Sequence, residues 1–184
     1  MCTKKKISAL FALFLSALFI GTAFAAELER LPARTSPVPA TTNSVPHVQL
    51  GGESNPAFLA ELMTRVSRVQ GIEIRDTMIS MPGASGFWVS EHLELANPQA
   101  IVGGREFAHM HPDGSLHASL SPTKASEAVN AGWATYHPWA KKRKGWEGFV
   151  MIYTPTTDAE VNVVYQLVLA SFDYVTGQKL SSLK

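Results

Sequence analysis

Three of the six histidines lie close together in the segment HMHPDGSLH, which runs from His109 to His117. A fourth, His137, follows in an aromatic-rich stretch. Neutral imidazole is a common ligand for zinc, iron and copper, and it can also act as a general base near neutral pH. Such a cluster could therefore hold a metal ion, or it could take a proton from a substrate and stabilise a developing oxyanion. A purely structural role, with the rings bonded to serines or backbone, is the third interpretation.

The residues Pro112-Asp113-Gly114 predict the turn of a β-hairpin. In a three-residue loop, His111 faces Ser115 and His109 faces His117. Because side chains alternate along a strand, one face then carries six residues: Phe107, His109, His111, Ser115, His117 and Ser119. A two-residue loop would turn His117 to the other face. We favour the three-residue loop because proline fits it best.

The candidate catalytic residues are His109, His111, His117 and His137, and the first three are also the alternative metal ligands, for zinc, iron or copper. Three aromatic residues and two serines could line a pocket for a flat ligand: Trp133, Tyr136, Trp139, Ser115 and Ser119. Core packing is the alternative for each aromatic residue. Glu91, Glu106 and Glu147 are candidate fourth ligands or orienting groups, and the spacing does not select among them.

Three helices are predicted from their caps. Asn55-Pro56 begins the first, Ser121-Pro122 begins the second, and a capping box from Thr157 to Glu160 begins the third. Glycines at 71, 132 and 177 end them. In the third helix, Val164 and Val168 should be buried against the strand 149–153.

Strands are predicted over four further segments: 72–79, 87–95, a short one at 100–102, and 149–153. Residues 133–139 are expected to form an aromatic-rich loop. Strands grouped centrally between helices indicate an α+β fold. We expect a single domain with a mainly antiparallel sheet and about three flanking helices.

The two ends of the chain read differently from the middle. Residues 1–25 have the basic start, apolar run and Ala23-Phe24-Ala25 site of a signal peptide, with an uncleaved anchor as the alternative. Residues 26–53 are rich in proline and predict a flexible tether, in which His47 is expected to have no role. The domain should span 54–177, followed by a C-terminal tail over 178–184.

Signal removal would also change composition. Cys2 would be lost, which excludes disulfides and thiolate catalysis in the mature chain. Without the signal's three lysines, 13 of the 16 basic residues would face 15 acidic ones, a net charge of −2. A nearly neutral chain of this kind has no general attraction for nucleic acid. We therefore expect a periplasmic or secreted protein that binds a small aromatic molecule and neither nucleic acid nor, after cleavage, a membrane. The sequence does not indicate an oligomeric state.

Several motifs together resemble the luciferase-domain family, which includes fungal luciferases and many small bacterial proteins of unassigned function. They are His109-Met110-His111-Pro112-Asp113-Gly114-Ser115-Leu116-His117, Gly132-Trp133, His137-Pro138, Val150 to Pro155, Ala170-Ser171 and Val175-Thr176-Gly177. The resemblance covers roughly Asn55 to Gly177.

The resemblance implies an oxygenase, because the fungal members oxidise a hydroxylated styryl-pyrone with molecular oxygen, emit light and need no separate cofactor. A histidine base that deprotonates an enol fits that scheme. The sequence departs from the family pattern at Ala134-Thr135-Tyr136, where a glycine and an acidic residue are expected, and at Thr156, where the family tends to place arginine. We therefore do not expect light emission. Two interpretations remain: a small enzyme acting on a phenolic or enolic compound, and a non-catalytic module that binds an aromatic ligand or a divalent metal.

Overall fold

The computed structural model of the protein describes residues 31–52 and 54–182. Its three helices are α1 (Pro56–Ser67), α2 (Pro122–Asn130) and α3 (Asp158–Thr176). Its strands are β1 (Ala40–Thr41), β2 (Gln49–Leu50), β3 (Ile72–Asp76), β4 (Ser85–Val89), β5 (Glu106–Met110), β6 (Leu116–Ser119), β7 (Ala134–Tyr136) and β8 (Phe149–Ile152). The predicted signal peptide lies outside the described residues and stays a prediction.

The main sheet is antiparallel and contains six strands in the order β3-β4-β5-β6-β8-β7, whereas β1 and β2 form a separate pair. One continuous core joins the helices to one face of this sheet. The opposite face carries the histidines of β5 and β6, because alternate side chains of a strand point in opposite directions. The predicted single α+β domain is confirmed.

The helix starts follow the sequence signals. The Asn55 side chain accepts a hydrogen bond from the Ala57 N–H at 2.9 Å, and Ser121 and Thr157 accept from backbone N–H groups three residues on. The predicted capping box is half correct. The Glu160 carboxylate accepts from the Thr156 N–H at 2.8 Å instead of reaching Thr157, because Arg34 holds it there.

Helix α3 packs against α1 and lies across β5 and β6 of the sheet. Val164 and Val168 are completely buried, as predicted, and belong to the same core cluster as Val150 and Ile152 of β8. Ser171 helps to hold the helix against β6, since its hydroxyl donates to the Ser119 carbonyl at 2.8 Å. The last helix is thereby fixed over the hairpin that carries the histidines.

Some predicted element boundaries differ from the structure. The segment predicted as a strand at 100–102 begins within a 3-10 turn, Pro98–Ala100, because the Ala100 and Ile101 N–H groups bond back to Asn97 and Pro98. The predicted loop at 133–139 contains β7, which pairs with β8 at the sheet edge. Strands β3 and β4 end earlier than predicted, at Asp76 and Val89.

The N-terminal segment 31–52 packs against the domain, so the prediction of a tether is wrong for these residues. Leu31 belongs to the core, and the Trp133 indole N–H donates to the Pro32 carbonyl. The Arg34 guanidinium lies over the rings of Trp133 and Tyr153 and pairs with Glu160 at 3.1 Å. Prolines suit an extended chain that binds through such contacts, because few backbone donors are needed.

Among residues 31–52 and 54–182, we find no helix with the length and apolar character needed to cross a membrane.

Candidate functional site

The hairpin has the predicted three-residue loop. Ala108 pairs with Ala118 and His109 pairs with His117. The His111 N–H donates to the Ser115 carbonyl at 2.8 Å, and Gly114 closes the turn with a φ of 84°. Glycine adopts that conformation readily, and a Cβ at this position would meet the Leu59 side chain at 2.6 Å. His109, His111 and His117 therefore share one face of the sheet.

A β-bulge in β5 changes the prediction for two neighbouring residues. Trp88 pairs with Glu106, but Phe87 pairs with Ala108, so Phe107 is the extra residue. Phe107 turns toward the helices, with its ring 5.5 Å from that of Phe172. Its predicted place on the histidine face is therefore wrong. The same bulge brings Glu106 beside His109, with Oε1 at 2.9 Å from Nδ1.

A cavity of about 270 Å³ lies over the histidine face. Five histidines line it: His47, His109, His111, His117 and His137. All five are buried, with exposed fractions between 2% and 5%. The other walls are mostly apolar and come from three segments: Val45-Pro46, Ile79 to Met81, and Trp139 with Phe149. The structure thus brings all four predicted catalytic histidines together and adds His47.

Three of these imidazoles form a hydrogen-bonded chain. His109 Nε2 lies 3.0 Å from His117 Nδ1, and His117 Nε2 lies 3.2 Å from His47 Nδ1. Both nitrogens of His117 are therefore engaged. At the far end of the chain, His109 Nδ1 faces Glu106 Oε1, and an N–H there would meet the oxygen off its axis. Four side chains from three segments, β5, β6 and the loop between β1 and β2, thus form one continuous series of contacts.

The carboxylate that ends this chain is held by donors on both oxygens. The Thr77 hydroxyl donates to Glu106 Oε1 at 2.7 Å, and the Met78 N–H donates to Oε2 at 2.8 Å. The Thr77 oxygen itself accepts from the Ser80 N–H at 3.1 Å, so its own proton is directed to Glu106. Glu106 is 2% exposed, and both of its oxygens act as hydrogen-bond acceptors.

A second carboxylate supports His111. The Ser115 hydroxyl donates to Asp113 Oδ1 at 2.8 Å, and its oxygen lies 3.0 Å from His111 Nδ1. Because the hydroxyl proton is used on Asp113, the Ser115 oxygen accepts from His111 Nδ1–H. In a neutral ring this leaves the Nε2 lone pair of His111 available as an acceptor. The network thereby assigns its tautomer.

His137 has the opposite tautomer. Its Nδ1 accepts the Trp139 backbone N–H at 3.0 Å, so a neutral ring carries its proton on Nε2. The ring lies edge-on to His117, with the two centroids 4.6 Å apart, and contacts the rings of Phe149 and Trp139. His137 therefore offers the cavity a donor where His111 offers an acceptor.

Burial keeps four of the cavity imidazoles neutral. Burial, followed by the neighbouring histidines, lowers the pKa of His111 to about 4 and that of His137 to about 3. Burial lowers the pKa of His117 well below its usual value and also lowers that of His47. Near pH 7 these four rings are uncharged, since a positive charge would lack both water and a close anion.

Two overlapping groups of three histidines could hold a metal ion among the described residues: His47, His117, His137 and His109, His111, His117. The first group fits poorly, because the Trp139 N–H occupies His137 Nδ1 and leaves a proton on Nε2. The second fits well. Its remaining ring nitrogens face Glu106, Ser115 and His47, which are the kind of supporting partners that metal-bound histidines have.

Some of the predicted ligand-binding residues lie at the cavity, and others lie elsewhere in the fold. Trp139 lines the cavity. Ser115 does not line it but contacts His111, which does. Trp133 lies in the core against the N-terminal segment, Tyr136 is 40% exposed at the sheet edge, and Ser119 donates to the Ala100 carbonyl. None of these last three lines the cavity.

Two important residues were not selected from the sequence. Glu106 was one of three equivalent candidates, and only the bulge distinguishes it. His47 was assigned to the tether, and no local pattern marks it as a site residue. A weak indication that His47 has a defined position is that it lies between two short stretches that could pair, Ala40–Thr41 and Gln49–Leu50.

Part of the chain matches a known protein family. Residues 104–171, which contain four of the five cavity histidines, match the family model described as "Luciferase domain". The luciferases of Armillaria gallica and Armillaria mellea are each 29% identical over 169 residues, covering 82% of this chain and 63% of theirs. The luciferase of Neonothopanus nambi is 36% identical over 79 residues, covering 40% of this chain and 29% of its own.

The chain thus spans about 63% of the length of the Armillaria relatives. No solved structure matches it. The hairpin histidines and the segment from Gly132 to Pro155 fall within the matched region, which confirms the resemblance drawn from those motifs. The chain therefore contains a segment, residues 104–171, that matches the luciferase domain, and it resembles fungal luciferases over most of its length.

Proposed function

We propose that the protein is an oxygenase-type enzyme that oxidises a small enolic or phenolic molecule in the histidine-lined cavity. One observation carries the proposal. A single cavity presents a neutral acceptor nitrogen on His111 and a neutral donor nitrogen on His137, among apolar walls. This combination suits an acidic hydroxyl group beside a second oxygen. The family resemblance supports the same reaction class, although a shared fold alone does not transfer a reaction.

In the proposed reaction, His111 Nε2 takes the hydroxyl proton and the substrate becomes an enolate or phenolate. The His137 Nε2–H donates a hydrogen bond to the oxyanion. The anion then transfers an electron to dioxygen, and the two radicals combine through a new C–O bond. The resulting peroxide anion takes back the proton from His111. The substrate carbon is oxidised, dioxygen is reduced to the hydroperoxide level, and no other reactant is consumed.

The low pKa of His111 restricts the substrate. An imidazole with a pKa of about 4 is a weak base, so only an acidic enol or an activated phenol would give up its proton. The bound anion would also raise that pKa, since an opposite charge within about 4–6 Å stabilises the protonated ring. The cavity volume of about 270 Å³ suits a ligand with one ring. Trp139 and Phe149 would stack against it.

The test uses purified full chain, treated with a chelator, and a panel of single-ring enols and phenols. Oxygen consumption and the incorporation of labelled dioxygen into product are measured for the wild type, His111→Ala and His137→Ala. His92→Ala is the matched control, because His92 is exposed and lies outside the cavity. We expect turnover in the wild type and the control, and a loss of about 100-fold in both cavity variants. Equal rates in all four proteins would contradict the proposal.

A second candidate is metal binding by His109, His111 and His117. The observation in its favour is that the other nitrogen of each ring lies close to a polar group, namely Glu106, Ser115 or His47, as is usual for metal ligands. Metal analysis distinguishes the two. Zinc, iron or copper at one equivalent in the purified wild type, and its loss in His111→Ala but not in His92→Ala, would establish the metal site and overturn the metal-free mechanism.

We also propose that the protein is exported, with residues 1–25 removed. The basic start, apolar run and small-residue site at Ala23 to Ala25 support this. Intact-mass measurement of protein recovered outside the cytoplasm tests it. A mature species that begins at Ala26 is expected, and one that retains Cys2 would refute the proposal.

A further inference from the structure

We infer that a groove beside the histidine-lined cavity binds a small aromatic carboxylate. The groove has a volume of about 750 Å³, and His137 is the residue that lines both it and the cavity. Lys141, Arg143 and Lys144 form its positively charged side, and Tyr136 lies among its apolar residues. Binding in this groove is independent of the reaction proposed above and can be measured without turnover.

The four consecutive basic residues from Lys141 to Lys144 carry charge that the fold does not neutralise. All four side chains are exposed, and none of them forms an ion pair with the residues that the structure describes. Glu147 also lines the groove, but its carboxylate accepts the Gly145 N–H at 2.8 Å and so belongs to the turn. Five other basic residues are paired with carboxylates: Arg34, Arg65, Arg75, Arg105 and Lys124.

The loop that carries these charges is held in place by aromatic packing. The Arg143 guanidinium lies over the Trp146 ring, 5.3 Å from its centroid, and Trp146 stacks on Trp139 with the centroids 6.1 Å apart. The Trp146 N–H donates to the Arg143 carbonyl at 3.1 Å and closes a turn. Gly145 has a φ of 100°, and a Cβ there would meet the Gln99 carbonyl oxygen at 2.7 Å. The cations are therefore presented by an ordered loop, which reduces the entropy lost when a ligand binds.

Arg143 and Tyr136 determine the chemistry of the ligand. The Arg143 guanidinium has no hydrogen bond to the described residues, so its planar fork is available to bind a carboxylate through two parallel N–H···O bonds. Tyr136 is 40% exposed, and Pro122 and Pro138 line the groove with it. An exposed aromatic ring beside prolines offers a surface on which a flat apolar ring can stack. A ligand with an aromatic ring and a carboxylate uses both features.

The charge of the whole chain favours a small ligand over a polyanion. The full sequence has 16 basic and 15 acidic residues, a formal net charge of +1. Beyond the groove, a long polyanion would meet a nearly neutral surface and would gain no general attraction from it. The groove volume of about 750 Å³ lies within the range of about 300–1,000 Å³ that small-molecule sites have. An aromatic carboxylate with one or two rings therefore fits the site best.

The experiment is an NMR titration of the purified full chain with naphthoate, its neutral amide and acetate. We expect naphthoate to bind with a Kd of about 1 mM or below, to shift the Trp146 indole N–H signal, and to bind at least about tenfold more tightly than the amide or acetate. Arg143→Gln should weaken naphthoate binding about tenfold or more, because hydrogen bonds to a charged group are lost. Arg143→Lys should recover only part of the affinity, since lysine lacks the planar fork. Lys179→Gln, at an exposed position outside the groove, is the matched control and should bind as the wild type does.

Several outcomes would overturn the inferred site. Equal affinity for naphthoate and its amide would show that the charges do not take part, and equal affinity of wild type and Arg143→Gln would place the ligand elsewhere. Binding that is lost in His111→Ala but kept in Arg143→Gln would assign naphthoate to the cavity. Binding of polyglutamate without binding of naphthoate would assign the charges to a macromolecule. The expected affinities without oxidation of any substrate would uphold the groove and refute the proposed function.

Discussion

Ser115 lies between His111 and Asp113, and its hydroxyl is fully used. It donates to Asp113 and accepts from His111, so a side chain of two heavy atoms determines which nitrogen of the base faces the cavity. The backbone N–H of Ser115 also donates to Asp113 Oδ1, at 2.9 Å, which fixes the carboxylate in the turn. The turn is therefore a support for the site as well as a connection between strands.

Ser115→Ala is expected to leave His111 Nδ1–H buried without a partner. An unsatisfied buried donor costs about 1–3 kcal/mol, so the free energy of unfolding should fall by that amount. Urea denaturation measures it. Ser126→Ala, at an exposed position on α2, is the control and should change stability by less than about 0.5 kcal/mol. Equal stability of the two variants would show that the Ser115–His111 contact is not formed.

Helix α3 was predicted closely, because its capping signal and apolar spacing are local features of the sequence. Val164→Ala removes a side chain that is completely buried and should lower the free energy of unfolding by about 2 kcal/mol. Val163→Ala, one position away and only partly buried, should cost less than half as much. Urea denaturation of both variants checks the phase of the helix. A larger loss from Val163→Ala would contradict it.

The hairpin register could be predicted for the same reason, since Pro112-Asp113-Gly114 specifies one loop length. The bulge at Phe107 could not, because it depends on pairing with β4, a strand that lies about 20 residues away in sequence. His47 could not be placed either. Its position depends on contacts between separate segments, such as Arg34 with Glu160, and no local pattern encodes those.

The Arg34–Glu160 pair attaches the N-terminal segment to α3. The two side chains are 1% and 4% exposed. Burial alone would raise the pKa of Glu160. Hydrogen bonds from Ser36 and Thr156 and the charge of Arg34 together lower that pKa by a larger amount, so the net shift is downward. Both groups are therefore charged at neutral pH, and each depends on the other for compensation.

Glu160→Gln should leave the Arg34 charge buried and unpaired. Removing one partner of such a pair costs about 3–5 kcal/mol, and we expect the loss to fall first on residues 31–52. The measurement is amide hydrogen exchange. Its rate should increase in residues 31–52 and change less in β5 and β6. Asp158→Asn, at an exposed position in the first turn of α3, is the control. Unchanged exchange in residues 31–52 would show that other contacts hold the segment.

For the whole molecule, the histidine cluster predicts acid sensitivity. In the folded state the pKa values of His111 and His137 are about 4 and about 3, against a usual value of 6.5. Between these values the unfolded chain binds more protons than the folded chain, so stability rises with pH. The contribution of the neutral His111 and His137 rings to the free energy of unfolding is complete above about pH 6.5. It is lost progressively as the pH falls toward about 4.

Thermal unfolding of the chelated protein at a series of pH values from 7.5 to about 4 tests this. We expect the melting temperature to fall as the pH decreases below about 6.5, and we expect a shallower fall in His137→Gln. His92→Ala should follow the wild type, because His92 is exposed. A melting temperature that rises on acidification would mean that the cluster is stabilised by protonation.

The attachment of residues 31–52 has a consequence for how this site can diversify. Four of the cavity histidines belong to the segment that matches the family model, but His47 is carried by a separate stretch that binds through side chains. Substitutions in that stretch can change one wall of the cavity while the hairpin and its helices stay intact. Two relatives can therefore share the same sheet and the same hairpin histidines and still differ in chemistry, because the wall that carries His47 can change independently of them.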